Sequence, residues 1–276
     1  MDEFYKLGDV ITHTATSYED SYNNMRYNVK SPYGYLPDMS VWKKHKNIPI
    51  ALIGGGPSLK DHLEELRNFS GPTVACGSTH DFLVENGIIP TYSVICDPDP
   101  ITANYLSKPR DNIQYLLATQ CHPLVFEKLK GFAIWLWHCY NDDEKGYNEI
   151  DPDFKLHGAV GGGCTVGLRA INIAIMMGYK DIHFYGYDSS VRVNDSHHAY
   201  DFSTKDEQLG QMYEVKLAET DECFYTCAGY HLAQARQFVD FYGMYKDVFN
   251  PTFHGDGLLP ATMRAMTEGN QNVAAD

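Results

Sequence analysis

Ile48-Pro-Ile-Ala-Leu-Ile53-Gly54-Gly55-Gly56-Pro57-Ser58-Leu59 sets how the rest of this chain is read. The apolar run predicts a short buried strand, and the glycines stop it. From Leu59 a helical pattern follows, with Leu63 and Leu66 on one face and Asp61, Glu64 and Glu65 on the other. A strand running through glycines into a helix start is a phosphate-cradling arrangement: glycine lets the backbone approach an anion, and the helix N-terminus offers unpaired N–H groups. Ser58 suits either the N-cap or donation to a phosphate. The stretch is neither GxGxxG nor a P-loop, and an ordinary glycine-rich turn between strand and helix has the same signature.

Outward from this point the rhythm repeats. Thr73-Val74-Ala75-Cys76, Tyr92-Ser93-Val94-Ile95-Cys96, Tyr115-Leu116-Leu117-Ala118 and Ala133-Ile134-Trp135-Leu136 predict further strands, with a helix over 81–85 closed by Gly87. Gly161-Gly162-Gly163-Cys164-Thr165 opens a second block. Residues 166–177 are apolar on nearly every face and predict a buried helix stopped by Gly178. A strand over 181–185 ends at Gly186-Tyr187-Asp188, and Leu232, Ala235, Phe238 and Val239 recur at helical spacing later. Continuous apolar strands alternating with helices indicate an α/β, Rossmann-like, doubly wound, mostly parallel sheet. The expected organisation is a polar, tyrosine-rich N-terminal extension (1–47), one domain (48–265) and a flexible tail (266–276).

Twenty-two Lys and Arg stand against 36 Asp and Glu, a formal charge of −14. Nucleic-acid binders gain affinity by neutralising phosphates with cations, so nucleic acid is an unlikely partner, though a local basic cleft stays open. No apolar run approaches the ~20 residues of a membrane-spanning helix. The acidic, polar start MDEFYKLGDV does not read as a signal peptide. Seven cysteines without a CxxC pair read as reduced thiols. A cytoplasmic location is expected, and the tyrosines near the N-terminus suit a homo-oligomer contact.

In a doubly wound sheet, ligands lie outside the strand carboxyl ends near the topological switch point, so two glycine turns there would line one cleft. Asp97-Pro98-Asp99 places two carboxylates near that edge. Mg²⁺ takes one or two carboxylates together with substrate phosphates; Asp97 also suits a ribose hydroxyl, and both suit capping of their own turn. Asp188 stands in an equivalent place. Ser196-His197-His198-Ala199-Tyr200 offers two imidazoles for general acid or base work, for phosphate donation, or as plain loop residues. Cys164, at a helix start, is the cysteine whose setting would lower its pKa. Phe253-His254-Gly255-Asp256-Gly257 is a third glycine-bearing turn where a late strand ends, and it would close the cleft.

Four blocks occur here in a familiar order: GGGPSL, ACGSTHDFLVENGIIPTYSVICDPDP, GGGCTVGLRAINIAIMMGYKDIHFYGYDSS and HGDGLLP. Over roughly residues 48–262 they resemble the 6-hydroxymethylpterin diphosphokinase MptE-like domain family, in its phage and bacterial type. More distantly the chain is similar to bacterial sialyltransferases that use a CMP-sugar. Those enzymes share the strand–Gly-x-Gly-Pro-Ser-Leu turn and a buried helix leading to a strand that ends in Gly-x-Asp. The resemblance implies that Gly54, Gly55, Gly56, Pro57 and Ser58 hold the donor phosphate or nucleotide. Gly77, Gly162 and Gly163 would line it, Thr165 and Gly167 would lie near base or ribose, and Asp188 would edge the site. The archaeal pterin kinases carry an acidic run and a His-x-His-Gly-Asp block, where this chain has Asp97-Pro98-Asp99-Pro100 and Thr119-Gln120-Cys121-His122-Pro123.

The implied function is a transferase with a nucleotide-activated donor. In front stands sugar transfer to an unspecified acceptor, with His197, His198 and Asp188 catalytic and His254 and Asp256 in the cleft. One alternative is a Mg²⁺- and ATP-dependent diphosphokinase with Asp97 and Asp99 as metal ligands; another is a non-catalytic nucleotide-binding module.

Overall fold

Nine strands form one parallel sheet in the computed structural model, which describes residues 16–37, 47–192, 197–200, 211–217 and 220–273. They are β1 (Gly34–Tyr35), β2 (Ile50–Ile53), β3 (Thr73–Cys76), β4 (Tyr92–Ile95), β5 (Gln114–Ala118), β6 (Ile134–Cys139), β7 (Ala159–Val160), β8 (Asp181–Tyr185) and β11 (Asn250–His254). Strands β9 (Met212–Lys216) and β10 (Cys223–Cys227) form a separate antiparallel ribbon. The α-helices are α1 (Tyr18–Asn28), α2 (Leu63–Arg67), α3 (Thr79–Glu85), α4 (Pro123–Lys128), α5 (Glu144–Ile150), α6 (Val166–Met176), α7 (Ala233–Tyr245) and α8 (Leu258–Val273). Tyr5, Ser196 and residues 274–276 lie outside the described residues.

The central strands are buried on both faces: β2 and β3 are buried at every position, and β4, β5 and β6 at all but one. In β2, Ile50 and Leu52 enter the main core, while Ala51 and Ile53 enter a second core with Leu59, Leu66 and Leu83 on the other face. Helix α6 packs on the main-core face, and seven of its residues, from Gly167 to Ala174, are buried. It ends in a Schellman turn: Tyr179 N–H donates to Ala174 O (3.1 Å) and Gly178 N–H to Ile175 O (2.8 Å), with Gly178 at φ +89°.

Strand order runs β6-β5-β4-β3-β2-β8-β11, with β1 and β7 both paired to β6. From β2 the chain steps outward to β6, then returns to place β8 on the other side of β2. The order therefore reverses between β2 and β8, and their carboxyl ends flank the switch point. Within the expected extension, β1 joins the sheet and α1 packs on α5 around Met25, Tyr147 and Phe154. The Asn28 amide donates to Thr119 O (2.9 Å) and Cys121 O (2.7 Å), laying α1 across the carboxyl end of β5.

Two local expectations change. The helix expected from Leu59 starts instead as a 3₁₀ segment, Pro57–His62, before α2. Its tight first turn is fixed by Leu59 N–H on Gly56 O (3.1 Å) and by a side chain that caps Ser58. At the other end, α8 runs on through residues 266–273 of the expected tail, and Met263 and Met266 extend the apolar face begun by Leu258 and Leu259. No helix of the described residues is long and apolar enough to cross a membrane.

Candidate functional site

At the switch point the glycine turn after β2 meets the turn after β8, backbone against backbone. Gly54 N–H donates to Tyr185 O (2.8 Å) and Gly56 N–H to Gly186 O (2.9 Å). A Cβ on Gly54 would lie 2.6 Å from Gly186 O, and one on Gly56 would lie 2.3 Å from an Asp188 carboxylate oxygen. Neither glycine has a positive φ, so what demands glycine here is the close approach of two chain segments. Pro57 follows at the first position of the 3₁₀ segment, where its missing N–H costs nothing.

Asp188 occupies the place that the sequence assigns to a ligand anion. Its carboxylate accepts from Ser58 N–H (2.8 Å) and from Ser58 Oγ (2.6 Å), so Gly56 rather than Ser58 is the N-cap. The third glycine turn closes over the same point. Gly255, at φ +122°, lies against Ser58, and Gly257 packs on Asp188 itself. Asp188 O accepts from Leu259 N–H (3.0 Å) at the start of α8. The residue is 2 % exposed, and burial pushes its carboxyl up to about 6 against the opposing pull of the two Ser58 hydrogen bonds. At the rim, Arg192 pairs with Asp256 (3.0 Å) and with Asp61.

The histidine segment lies on the middle glycine of the first turn. Ala199 N–H donates to Gly55 O (2.8 Å), and a Cβ on Gly55 would lie 2.4 Å from His198 Cδ2 and 2.6 Å from the Tyr200 hydroxyl. Tyr200 continues the contact to the β3 turn through Ser78 Oγ (2.6 Å). His197 is buried and meets His198 edge-on, ring centroids 4.0 Å apart, with His231 6.3 Å beyond. Burial, reinforced by the His197 charge, holds His231 down at about 4.

The second triple-glycine turn leads α6 onto this edge from above. Gly162 and Gly163 have φ of +110° and +83°, and Thr165 caps α6 by accepting from Leu168 N–H (3.3 Å). Val166 packs on Gly77 (φ +59°), at the end of β3. Gly167 lies against the buried Tyr187 ring, whose hydroxyl donates to Gly167 O (3.0 Å). The helix start does not lower the Cys164 pKa as its position suggests. Burial of the sulfur pushes it up to about 11, although the residue as a whole is exposed.

Asp97 and Asp99 belong to their own turn. Asp97 Oδ1 accepts from Asp99 N–H (3.0 Å), and Asp99 Oδ1 caps the next 3₁₀ segment through Ile101 N–H (2.9 Å). Among the described residues no third histidine, cysteine or carboxylate joins them, and a Mg²⁺ ion held here would take its remaining ligands from substrate phosphates and water. His254 points away from Asp188, toward Glu65 (3.1 Å) and His183 (3.0 Å). Sequence reasoning missed Ser78, Arg192 and His231. No local motif marks them, because each is recruited from a distant part of the chain.

Residues 19–194 match the family model described as 6-hydroxymethylpterin diphosphokinase MptE-like. No curated protein sequence matches the chain. Among solved structures, the MAf glycosyltransferase of Magnetospirillum magneticum AMB-1 is 19% identical with a TM-score of 0.64, over 86% of this chain and 35% of that one. The chain thus spans about a third of that protein's length. The sialyltransferase CstII of Campylobacter jejuni, in complex with cytidine-5'-monophosphate, is 16% identical with a TM-score of 0.42, over 79% of this chain and 84% of that one. At 19% identity the likeness to MAf is one of fold.

Proposed function

The chain belongs to the 6-hydroxymethylpterin diphosphokinase MptE-like family, and we propose that it transfers a sugar from a nucleotide-activated donor to an acceptor hydroxyl. The observation that carries this reading is the seating of His198 and Tyr200 on Gly55, beside the switch point. It puts an imidazole, able to move a proton near neutral pH, at the edge where a doubly wound sheet takes its ligands.

In this reading the donor lies on the Gly55 side of the turn, under the N-terminus of α6. The acceptor oxygen bonds to the anomeric carbon, and the bond from that carbon to the donor phosphate oxygen breaks. His198 takes the hydroxyl proton or protonates the leaving phosphate, with His197 packed against it. Asp188 is a positioning residue: through Ser58 it ties the glycine turn to β8 and holds Gly55 in register with the histidines.

The family description favours a second reading, ATP-dependent diphosphoryl transfer, in which Asp97 and Asp99, whose Oδ1 atoms accept from their own turn, would hold Mg²⁺. A thermal-shift panel of nucleotides and nucleotide sugars, each with and without Mg²⁺, separates the two. Transfer predicts a metal-independent shift with a nucleoside monophosphate or nucleotide sugar, absent in Gly55→Asp. It also predicts turnover lowered about 10²–10⁴-fold in His198→Ala with donor binding retained. A shift confined to ATP with Mg²⁺ would turn the assignment to the kinase. Binding without turnover, indifferent to both histidines, would leave a nucleotide-binding module.

A further inference from the structure

Over the paired strands β8 and β11, on the face covered by the 3₁₀ segment and α2, four titratable residues converge. His62 closes the 3₁₀ segment, Glu65 lies in α2, His183 in β8 and His254 at the end of β11. Glu65 bridges the two outer rings: His62 Nδ1 lies 3.1 Å from Oε2, and His254 Nδ1 lies 3.1 Å from Oε1. The Tyr185 hydroxyl donates to Oε1 (2.8 Å), and the Tyr185 ring stacks on His254 with centroids 4.0 Å apart, which fixes that imidazole. One nitrogen each from His62 and His254 and a Glu65 oxygen all lie within 4.8 Å of one another.

We propose that His62, Glu65 and His254 bind a divalent transition-metal ion of the zinc type. Zinc takes imidazole nitrogen and carboxylate oxygen at about 2.0–2.1 Å in a tetrahedron, whose edges are then about 3.3 Å. Each imidazole already stands 3.1 Å from one of the two Glu65 oxygens, His62 from Oε2 and His254 from Oε1. One donor atom from each residue lies within 4.8 Å of the other two, so a small rotation of the carboxylate brings all three to that edge length. Two imidazoles and one carboxylate select zinc, cobalt or nickel over Mg²⁺ and Ca²⁺, which take oxygen. The side chains of His62 and Glu65 are 24% and 47% exposed, so an ion has an entry path and the fourth position is open to water. The second His–Asp–His group, His138, Asp151 and His157, lacks this openness. There Asp151 Oδ2 already accepts from His138 (2.9 Å), His157 (2.7 Å) and Tyr35 (3.2 Å), and the Tyr35 ring covers His157.

An ion at this place would tie the segment after the first glycine turn to the strand that delivers the third. It would thereby stiffen two of the three turns around Asp188 without touching the transfer site.

The test titrates the untagged, chelator-stripped full chain with Zn²⁺ alone and with Co²⁺ alone. Expected are one ion per chain, a tetrahedral Co²⁺ visible spectrum, a raised melting temperature and no competition from Mg²⁺. His62→Ala and Glu65→Gln, both at partly exposed positions, each weaken uptake by at least about tenfold, while His157→Ala leaves it unchanged. No uptake, uptake unaltered in both variants, or uptake lost in His157→Ala alone would each overturn the proposal.

Discussion

Asp188→Asn is expected to stabilise the protein above pH 6 and to leave its stability unchanged near pH 4. The Asp188 carboxyl sits at about 6 in the folded chain against 3.8 for the free group. Between those values the folded state keeps a proton that the unfolded state has released, so stability falls as pH rises through the window and levels off above it. Two pH units at 1.36 kcal/mol each come to about 3 kcal/mol of destabilisation at pH 7 and above. Asparagine removes the charge yet keeps the geometry: its carbonyl oxygen can accept from Ser58 N–H, and its amide can donate to Ser58 Oγ, whose hydrogen rotates to suit. The wild-type profile alone would hide the effect. His231, held at about 4, has the opposite sign and loses stability as pH falls from about 6.5 toward 4. The assay is therefore the difference in urea unfolding free energy between variant and wild type at half-unit steps from pH 4.5 to 8. The variant should gain about 2 kcal/mol between pH 4.5 and 8, the remaining ~1 kcal/mol of the effect being already present at pH 4.5. A difference that stays flat with pH would refute the reasoning, as would one that turns against the variant at high pH.

Gly56→Ala should cost about 2–4 kcal/mol and displace Asp188, since its Cβ would lie 2.3 Å from a buried carboxylate oxygen; Gly161→Ala, with nothing within 4 Å of its Cβ, should stay within about 0.5 kcal/mol. Denaturation midpoints of the two variants check both values, and a costly Gly161→Ala would contradict the assignment of crowding to the first turn. In an NMR pH titration the His231 ring protons should report a neutral imidazole down to about pH 4; a midpoint near 6.5 would show that the ring is solvated.

What the sequence made legible followed from burial and period. β2 and α6 stood out because each is apolar at nearly every position, β8 by its short run ending at Gly186, and the reversal between β2 and β8 makes both strands neighbours of one switch point. The glycine turns were located correctly but were open in meaning. A glycine that admits a phosphate and a glycine that admits a carboxylate from the same chain look alike in sequence. The carboxylate here stands 130 residues downstream of Ser58, beyond any local pattern. Cys164 shows the same limit: the helix start is visible in the sequence, while the burial that outweighs it is tertiary. His62 and Glu65 read as polar positions of an amphipathic segment, and only the pairing of β11 with β8 brings His254 to them.

The clasp constrains how an anionic donor can bind. The Ser58 hydroxyl and N–H already serve Asp188, so a donor phosphate on the Gly55 side of the turn becomes a second negative charge near a buried carboxyl that titrates at about 6. At roughly 6 Å and an effective dielectric of about 20, a unit charge is worth about 3 kcal/mol, which raises the carboxyl by about two further pH units. Donor binding should then draw a proton onto Asp188, and by reciprocity affinity should weaken as pH rises from 6 to 8. A nucleotide sugar whose phosphates do not titrate in that window isolates the effect from the ligand's own ionisation. His197 and His198 are present in both proteins, so the decisive quantity is the part of the slope that Asp188→Asn abolishes. If wild type and Asp188→Asn show the same dependence of the dissociation constant on pH, the donor does not lie beside Asp188, and the placement of the transfer site on the Gly55 side of the switch point is wrong.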